Sequence, residues 1–492
     1  MPETIQFAEW MPDRSDRHNP ASEAKGVISV GGQYGPFKSV QDYNGSSAAT
    51  AATCLGARTF YDSVLVPHIY MGDATKLYHL EARVATDRSK VGGYSLGADE
   101  VWQFAQYGDI VVGVAPGEAP QEHDMLNPTS AFANLAASAP QLTSIARVND
   151  FLMGGLNFTV HWCAFNTITD WTPSAATQAG NQALDQEQGE VQAIVGLDYA
   201  AIFQERAIRR AIYIGPPIIW DFGQEAVEKR RGCISRNAAT VWGRSVFYVA
   251  DDGFYMFDGQ ASTPIGAGKV DDYFIRNLNY AYRHKVCCAV DGINKLFVCG
   301  FPAGGATNIS ELLIMSLSDG RWTHDVMDLE FLFDSPVDAL TVDTFHTLYT
   351  ADDLDATNIT PDDIDSGAFD DERRLVAGVQ TNHRLGFFTG SNRPATIETG
   401  EFEPAAGRRA LVTEIWPLGD FPQSAVSASL GYRRALPGAA IAYTNPTGMN
   451  AAGYCPQRMD ARFVRGRLQI AAQAIWRRAE GLNYTARLTG GR

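Results

Sequence analysis

The sequence is short of paired cysteines, of long apolar runs and of positive charge, and each shortage excludes a class of protein. Its seven Cys (54, 163, 233, 287, 288, 299 and 455) are odd in number and scattered, with no CxxC pair. Neither a zinc site nor a disulfide framework is expected from that spacing. Cys287, Cys288 and Cys299 stand in apolar text (KVCCAV, KLFVCG), where Cys packs as a small hydrophobe, and synthesis in a reducing cytosol follows most simply. No window approaches the roughly 18 uninterrupted apolar residues that a membrane helix needs, so no membrane anchor is expected. The first twenty residues, MPETIQFAEWMPDRSDRHNP, lack the basic and apolar regions of a secretory signal. Lys and Arg total 40 against 56 Asp and Glu, a net charge of −16. That balance argues against tight, sequence-blind binding to DNA or an anionic membrane, and leaves room for DNA sliding past without sticking.

Catalytic text is also missing. There is no GxSxG or HExxH string. The nine His show no ligand spacing in the chain, and His161, in the strand text TVHWCAFN, reads as a packed histidine. IGAGKVDD (265–272) is not a phosphate loop, because Thr263 and Val270 stand where that motif needs Gly and Ser/Thr. SLSDGRWT (316–323) reads as a structural turn, Asp319-Gly320, followed by a Trp322 that packs between repeats. These absences point to a protein without enzymatic activity, cofactor or catalytic residue.

What is present is strand text in 492 residues, enough for one large domain or two to three ordinary ones. Short runs rich in Val, Ile, Phe, Tyr and Trp are broken by turns centred near Asp73, Gly108, Asn149, Asp198, Gly243, Gly292 and Asp343. One hairpin recurs about every 45 residues, the period of a four-stranded propeller blade. The expected fold is all-β: a β-propeller over 46–350, six blades favoured and seven possible. A run of β-sandwiches is the competing reading. Residues 1–45 are expected as an extended arm, 127–141 as a short Ala-rich helix, and 174–190 as a polar insertion. Residues 351–372 are expected as an acidic loop or linker, and 373–492 as a separate Arg-rich β module.

Charge is unevenly spread. Asp325–Glu372 holds 15 acids and no Lys or Arg, whereas 373–492 holds 16 Arg, no Lys and seven acids. Asp352, Asp353, Asp355, Asp362, Asp363 and Asp365 are weak candidates for holding a hard cation, although they miss the EF-hand spacing; a solvated acidic loop is the plainer reading. The same six, with Arg408, Arg409, Arg433, Arg434, Arg465 and Arg467, are candidates for lining a channel or making subunit contacts. An acidic segment and a basic module on one chain suggest head-to-tail pairing between identical subunits, which closes into rings.

Extended strings carry a resemblance. DWTPS, QAIVGLDYAAIFQERAIRRAIYIGPP, VFYVADDGFYMFDGQASTPIGAGKVDDYF, AVDGINKLFV and NHRLGFFTGSNRPATIETGE occur in order between about Leu55 and Glu401, with GYCPQRMDARF beyond. Together they resemble the tail-hub or nozzle proteins of short-tailed bacteriophages, the packaged-DNA stabilisation family. The resemblance implies a propeller subunit of a homo-hexameric ring in the virion tail, made in the host bacterial cytoplasm. Such a ring extends the DNA channel below the portal and head-to-tail adaptor. It retains packaged double-stranded DNA and docks a tail needle, fibres or spikes. A carbohydrate-binding or carbohydrate-cleaving propeller acting on host glycans is the alternative expectation.

Overall fold

The computed structural model describes residues 3–15, 20–81, 83–336, 374–433 and 440–489. Short alternating strands and tight turns build seven four-stranded antiparallel blades around one axis. Blade 1 is Gly56–Tyr61, Pro67–Gly72, Leu77–Glu81 and Val84–Asp87. Blades 2 to 5 repeat the plan, starting at strands Gln103–Tyr107, Ser144–Val148, Val191–Gly196 and Ala239–Trp242. Blade 6 is Cys287–Asp291, Leu296–Phe301, Ile309–Ser316 and the first part of the long strand Trp322–Pro336.

The seventh blade corrects the favoured count of six. Leu329 pairs with Ile309 of blade 6 and also with Gln380, so one continuous strand closes blade 6 and opens blade 7. Arg374–Gln380 and Leu385–Phe387 follow, and Gln41–Asp42, from the other end of the chain, is the outer strand. Each inner strand packs on the next, and the seventh returns to the first. Cys54 N–H donates to Glu330 Oε2 at 2.8 Å, and Thr59 Oγ1 meets Ser335 Oγ at 2.6 Å. These contacts set the inner strands of blades 7 and 1 side by side in the same direction. Closing the ring with a strand from the opposite terminus leaves few open sheet edges.

Packing between blades is aromatic and aliphatic. Trp322 is fully buried against Phe254 of blade 5 and Phe297 of blade 6, and its Nε1–H donates to Ile265 O at 3.1 Å. Burying one such side chain contributes about 1.5–3 kcal/mol. All seven Cys are free and buried, which for Cys287, Cys288 and Cys299 is the small-hydrophobe role their sequence context suggested.

A second unit is a β-sandwich. One sheet contains Val27–Val30, Gln33–Pro36, Ala479–Leu488, Ala410–Gly419 and Cys455–Ala461, with Glu3–Gln6 on the side. The other contains Glu23–Lys25, Ala395–Glu398, Phe463–Ile470, Val426–Arg433 and Ala442–Tyr443. Alternation is clean in Phe463–Ile470: Val464, Leu468 and Ile470 face the core, while Arg465 and Arg467 stand on the opposite face. Residues 3–42, expected within an extended arm, thus supply strands to both units. Residues 374–387, expected within the Arg-rich module, belong to the propeller. The acidic loop 351–372 lies outside the described residues.

The two units share hydrogen bonds. Lys25 pairs in parallel with His324 of blade 6, and Asp319 Oδ2 accepts from Ser29 Oγ (2.7 Å) and Gly32 N (3.2 Å). His324 is buried there, stacked on Trp10 and bonded to Glu23, with Glu311 at 3.3 Å. The expected helix at 127–141 is instead a turn-rich stretch with the edge strand Ala133–Asn134 of blade 2. The 174–190 insertion contains the outer strand Gly180–Ala183 of blade 3. In both places the need to complete a four-stranded blade overrides local composition. Among the described residues the one α-helix is Asp271–Asn277, and no helix is long and apolar enough to cross a membrane. That helix begins within the rejected phosphate-loop text, at Asp271, whose carboxylate accepts the Phe254 N–H at 3.0 Å.

Candidate functional site, a tunnel on the propeller axis and the face around its mouth

The fourth strand of an antiparallel blade ends on the face where the first begins, so all seven inner strands run the same way. Their walls enclose a cavity of about 230 Å³, lined by residues of every blade. Its charged residues are Arg58 on blade 1, Arg147 on blade 3, Arg236 at the entry to blade 5, and Asp334 on blade 7. Asp334 is already taken, by Arg374 at 2.9 Å. Arg58 has no hydrogen-bond or ion-pair partner among the described residues. Arg147 donates Nε–H to Asn149 O at 3.0 Å and lies over the Tyr107 ring, with no carboxylate partner among the described residues. Arg236 has a carboxylate, Glu190, only at 3.8 Å, and its Nε is buried without a partner. Burial pulls the Arg236 pKa down, yet a guanidinium keeps its charge in proteins. Blades 3 and 4 meet here so closely that a Cβ on Gly196 would stand 1.8 Å from Arg147 O. Glycine is required there to set the Arg147 backbone at the wall.

One face of the ring is formed by the loops that join first to second and third to fourth strands. It carries exposed apolar side chains in five blades: Leu65 (60 % exposed), Leu126, Phe165, Ile218 (65 %) and Ile293, with Val64 and Val66 beside Leu65. The Leu65 loop is a built feature. Asp62 Oδ1 accepts the N–H groups of Val64 (2.9 Å) and Val66 (2.8 Å), and Asp62 Oδ2 meets His68 Nε2 at 3.2 Å. His68 Nδ1 then meets His79 Nε2 at 2.8 Å, and the His79 ring packs beside Tyr70 and His123. Burial, followed by the neighbouring imidazoles, lowers the His79 pKa to about 3, so it is neutral at pH 7. Sequence reading placed these histidines apart. Strand pairing of Tyr70 with His79 brings them together, a juxtaposition that spacing in the chain does not reveal. No group of three metal-ligating residues is present among the described residues. His161 is half-buried on blade 3.

The arginine candidates behave differently. Arg409 pairs with Asp460, Arg433 with Glu401 at 2.6 Å, and Arg465 and Arg467 both reach Glu398, at 3.5 and 2.6 Å. Arg467 also stacks on Tyr443, whose hydroxyl donates to Glu398 Oε1 at 3.0 Å. These four guanidiniums are matched inside the chain, and only Arg408 of the described candidates is exposed with no ion pair. Arg434 and the six aspartates Asp352, Asp353, Asp355, Asp362, Asp363 and Asp365 lie outside the described residues. Pro336 pairs with Arg374, so the two ends flanking that acidic stretch are adjacent on the apolar-loop face.

No protein-family model matches the sequence, and no curated protein sequence matches it. Among solved structures, a chain of the mitotic checkpoint complex is 9% identical, with 73% of this chain and 97% of that chain covered and a TM-score of 0.41. The Pan2 WD40 domain of Neurospora crassa is 7% identical, with 68% and 89% covered and a TM-score of 0.39. YCF48 bound to D1 peptide is 11% identical, with 61% and 87% covered and a TM-score of 0.34.

Proposed function

We propose that this chain is a structural subunit of a bacteriophage tail. In this reading it is a nozzle or hub ring protein that extends the DNA channel below the portal and adaptor, retains packaged DNA and docks distal tail parts. The observation that carries the reading is the apolar-loop face. Exposed apolar side chains recur on this one face in five blades, with three in a row at Val64, Leu65 and Val66, and such side chains gathered on one face suit a protein contact. A second unit, hydrogen-bonded to the sixth blade, supplies a further docking body. The net charge of −16 suits a wall past which DNA slides, since phosphate contacts are what hold DNA to protein. Because Arg409, Arg433, Arg465 and Arg467 have partners within the chain, subunit contacts in this reading rest on the apolar loops more than on arginine-to-acid pairing.

Mass photometry of the purified full chain tests it. Particles of several subunit masses are expected, and Leu65→Asp combined with Ile218→Asp should shift them toward monomer while the melting temperature holds. A wild-type chain that stays monomeric at every concentration would count against the reading.

A further inference from the structure

We propose that Cys288 and Cys299 are a latent cross-strand disulfide, closed by thiol–disulfide exchange with a small neutral disulfide that enters the central cavity. The inference stands on blade 6 and is independent of the assembly proposed above.

Register comes first. Cys288, on the strand Cys287–Asp291, and Cys299, on the strand Leu296–Phe301, are direct partners across an antiparallel ladder. The Cys288 N–H points away from that ladder and donates to Asn237 O at 2.9 Å. In an antiparallel strand the N–H and C=O of one residue point the same way, so Cys288 and Cys299 form a non-hydrogen-bonded pair. Such pairs hold their Cα atoms about 4.5 Å apart, inside the roughly 4.4–6.8 Å that disulfides span. The bond therefore asks for no rearrangement of the strands.

Side-chain direction comes second. Strand alternation puts both thiols on the side of Phe297, which stacks on Phe247 of blade 5 at 5.5 Å. There the two thiols are in hydrogen-bond contact with each other. Cys287 faces the other way, into the core with Leu329 and Phe331. The neighbouring Cys233 donates its thiol to Ser235 O at 3.1 Å.

Access comes third. Cys299 is fully buried, but Cys288 is 6% exposed and lines the cavity of about 230 Å³ on the propeller axis. Burial holds the Cys288 thiol well above its usual pKa, so little thiolate is present at neutral pH and the exchange runs over hours rather than seconds. The Cys288 thiolate attacks one sulfur of the reagent, and the other sulfur leaves as a thiolate. Cys299 then gives up its proton and displaces the half still attached to Cys288. One S–S bond forms in the protein as the reagent's S–S bond breaks. The two cysteines are oxidised, and the reagent is reduced to two thiols that take up both protons.

The test incubates the folded full-length protein with hydroxyethyl disulfide, denatures it in excess N-ethylmaleimide and maps its peptides by mass spectrometry. Two of the seven thiols should escape alkylation until a reductant is added, and the cross-linked peptides should be those that hold Cys288 and Cys299. Cys287→Ala should still form the bond, which separates the two adjacent cysteines. Cys288→Ala and Cys299→Ala should each abolish it, and Cys288→Ala, at the cavity wall, carries the test if Cys299→Ala loses the fold. Alkylation of all seven cysteines after prolonged incubation would overturn the proposal. So would a mixed disulfide that never resolves, or a cross-link that survives in Cys288→Ala.

Discussion

Arginine does two different jobs in the two units. In the sandwich, Arg465 and Arg467 converge on Glu398, a carboxylate that is 1% exposed, and Tyr443 seals the group. In the propeller, Arg58, Arg147 and Arg236 line a cavity whose one carboxylate, Asp334, is taken by Arg374. The first set is a compact network in which two guanidiniums share one buried carboxylate. In the second, Arg236 has Glu190 at 3.8 Å, Arg147 donates to Asn149 O, and Arg58 has no ion-pair partner among the described residues. The same residue type therefore adds rigidity where it is matched and leaves charge uncompensated where it is not.

Four perturbations sharpen or break this contrast, from the largest effect to the smallest. Glu398→Gln strands two guanidiniums against a buried face and should cost about 3–5 kcal/mol in denaturant unfolding. A loss below about 1 kcal/mol would mean that Glu398 does not hold the two guanidiniums together. The junction of the units is next. Burial alone would lower the His324 pKa, but hydrogen bonds to Glu23 and Glu311 outweigh it and hold it at about 9. A raised imidazole contributes stability that is complete below its unfolded value near 6.5 and is lost as pH rises through about 9, about 3 kcal/mol in all. Urea midpoints should fall across that alkaline window, and His324→Gln should flatten the fall. Arg409→Gln removes an exposed pair with Asp460 and should cost only about 0–1 kcal/mol, read from the same midpoints. Arg58→Gln removes an unmatched charge, and its unfolding free energy in chloride should stay within about 0.5 kcal/mol of wild type.

The propeller was legible in the sequence because a blade is local: one hairpin turn for about every 45 residues is written along the chain. Six of the seven turns expected, from Asp73 to Gly292, fall at hairpins of blades 1 to 6. The seventh blade was harder to read because it is assembled from distant pieces. Its first strand is the continuation of blade 6, its second begins at Arg374, and its last is Gln41–Asp42. The sandwich shows the same limit, since Glu3–Gln6 and Ala479–Leu488 pair across nearly the whole chain. Charge counts foretold an arginine-rich end but not that Glu398, Glu401 and Asp460 answer it. Conversely, the three tunnel arginines were invisible as a group. They stand 89 residues apart in sequence, at 58, 147 and 236, and only ring closure gathers them.

Electron microscopy of the purified full-length protein decides whether this propeller and its sandwich repeat as one subunit of a ring. Closed rings with rotational symmetry around a central hole are expected, each subunit showing a seven-bladed disc and an attached sandwich. Isolated single-chain particles at every concentration, with no rings, would contradict it.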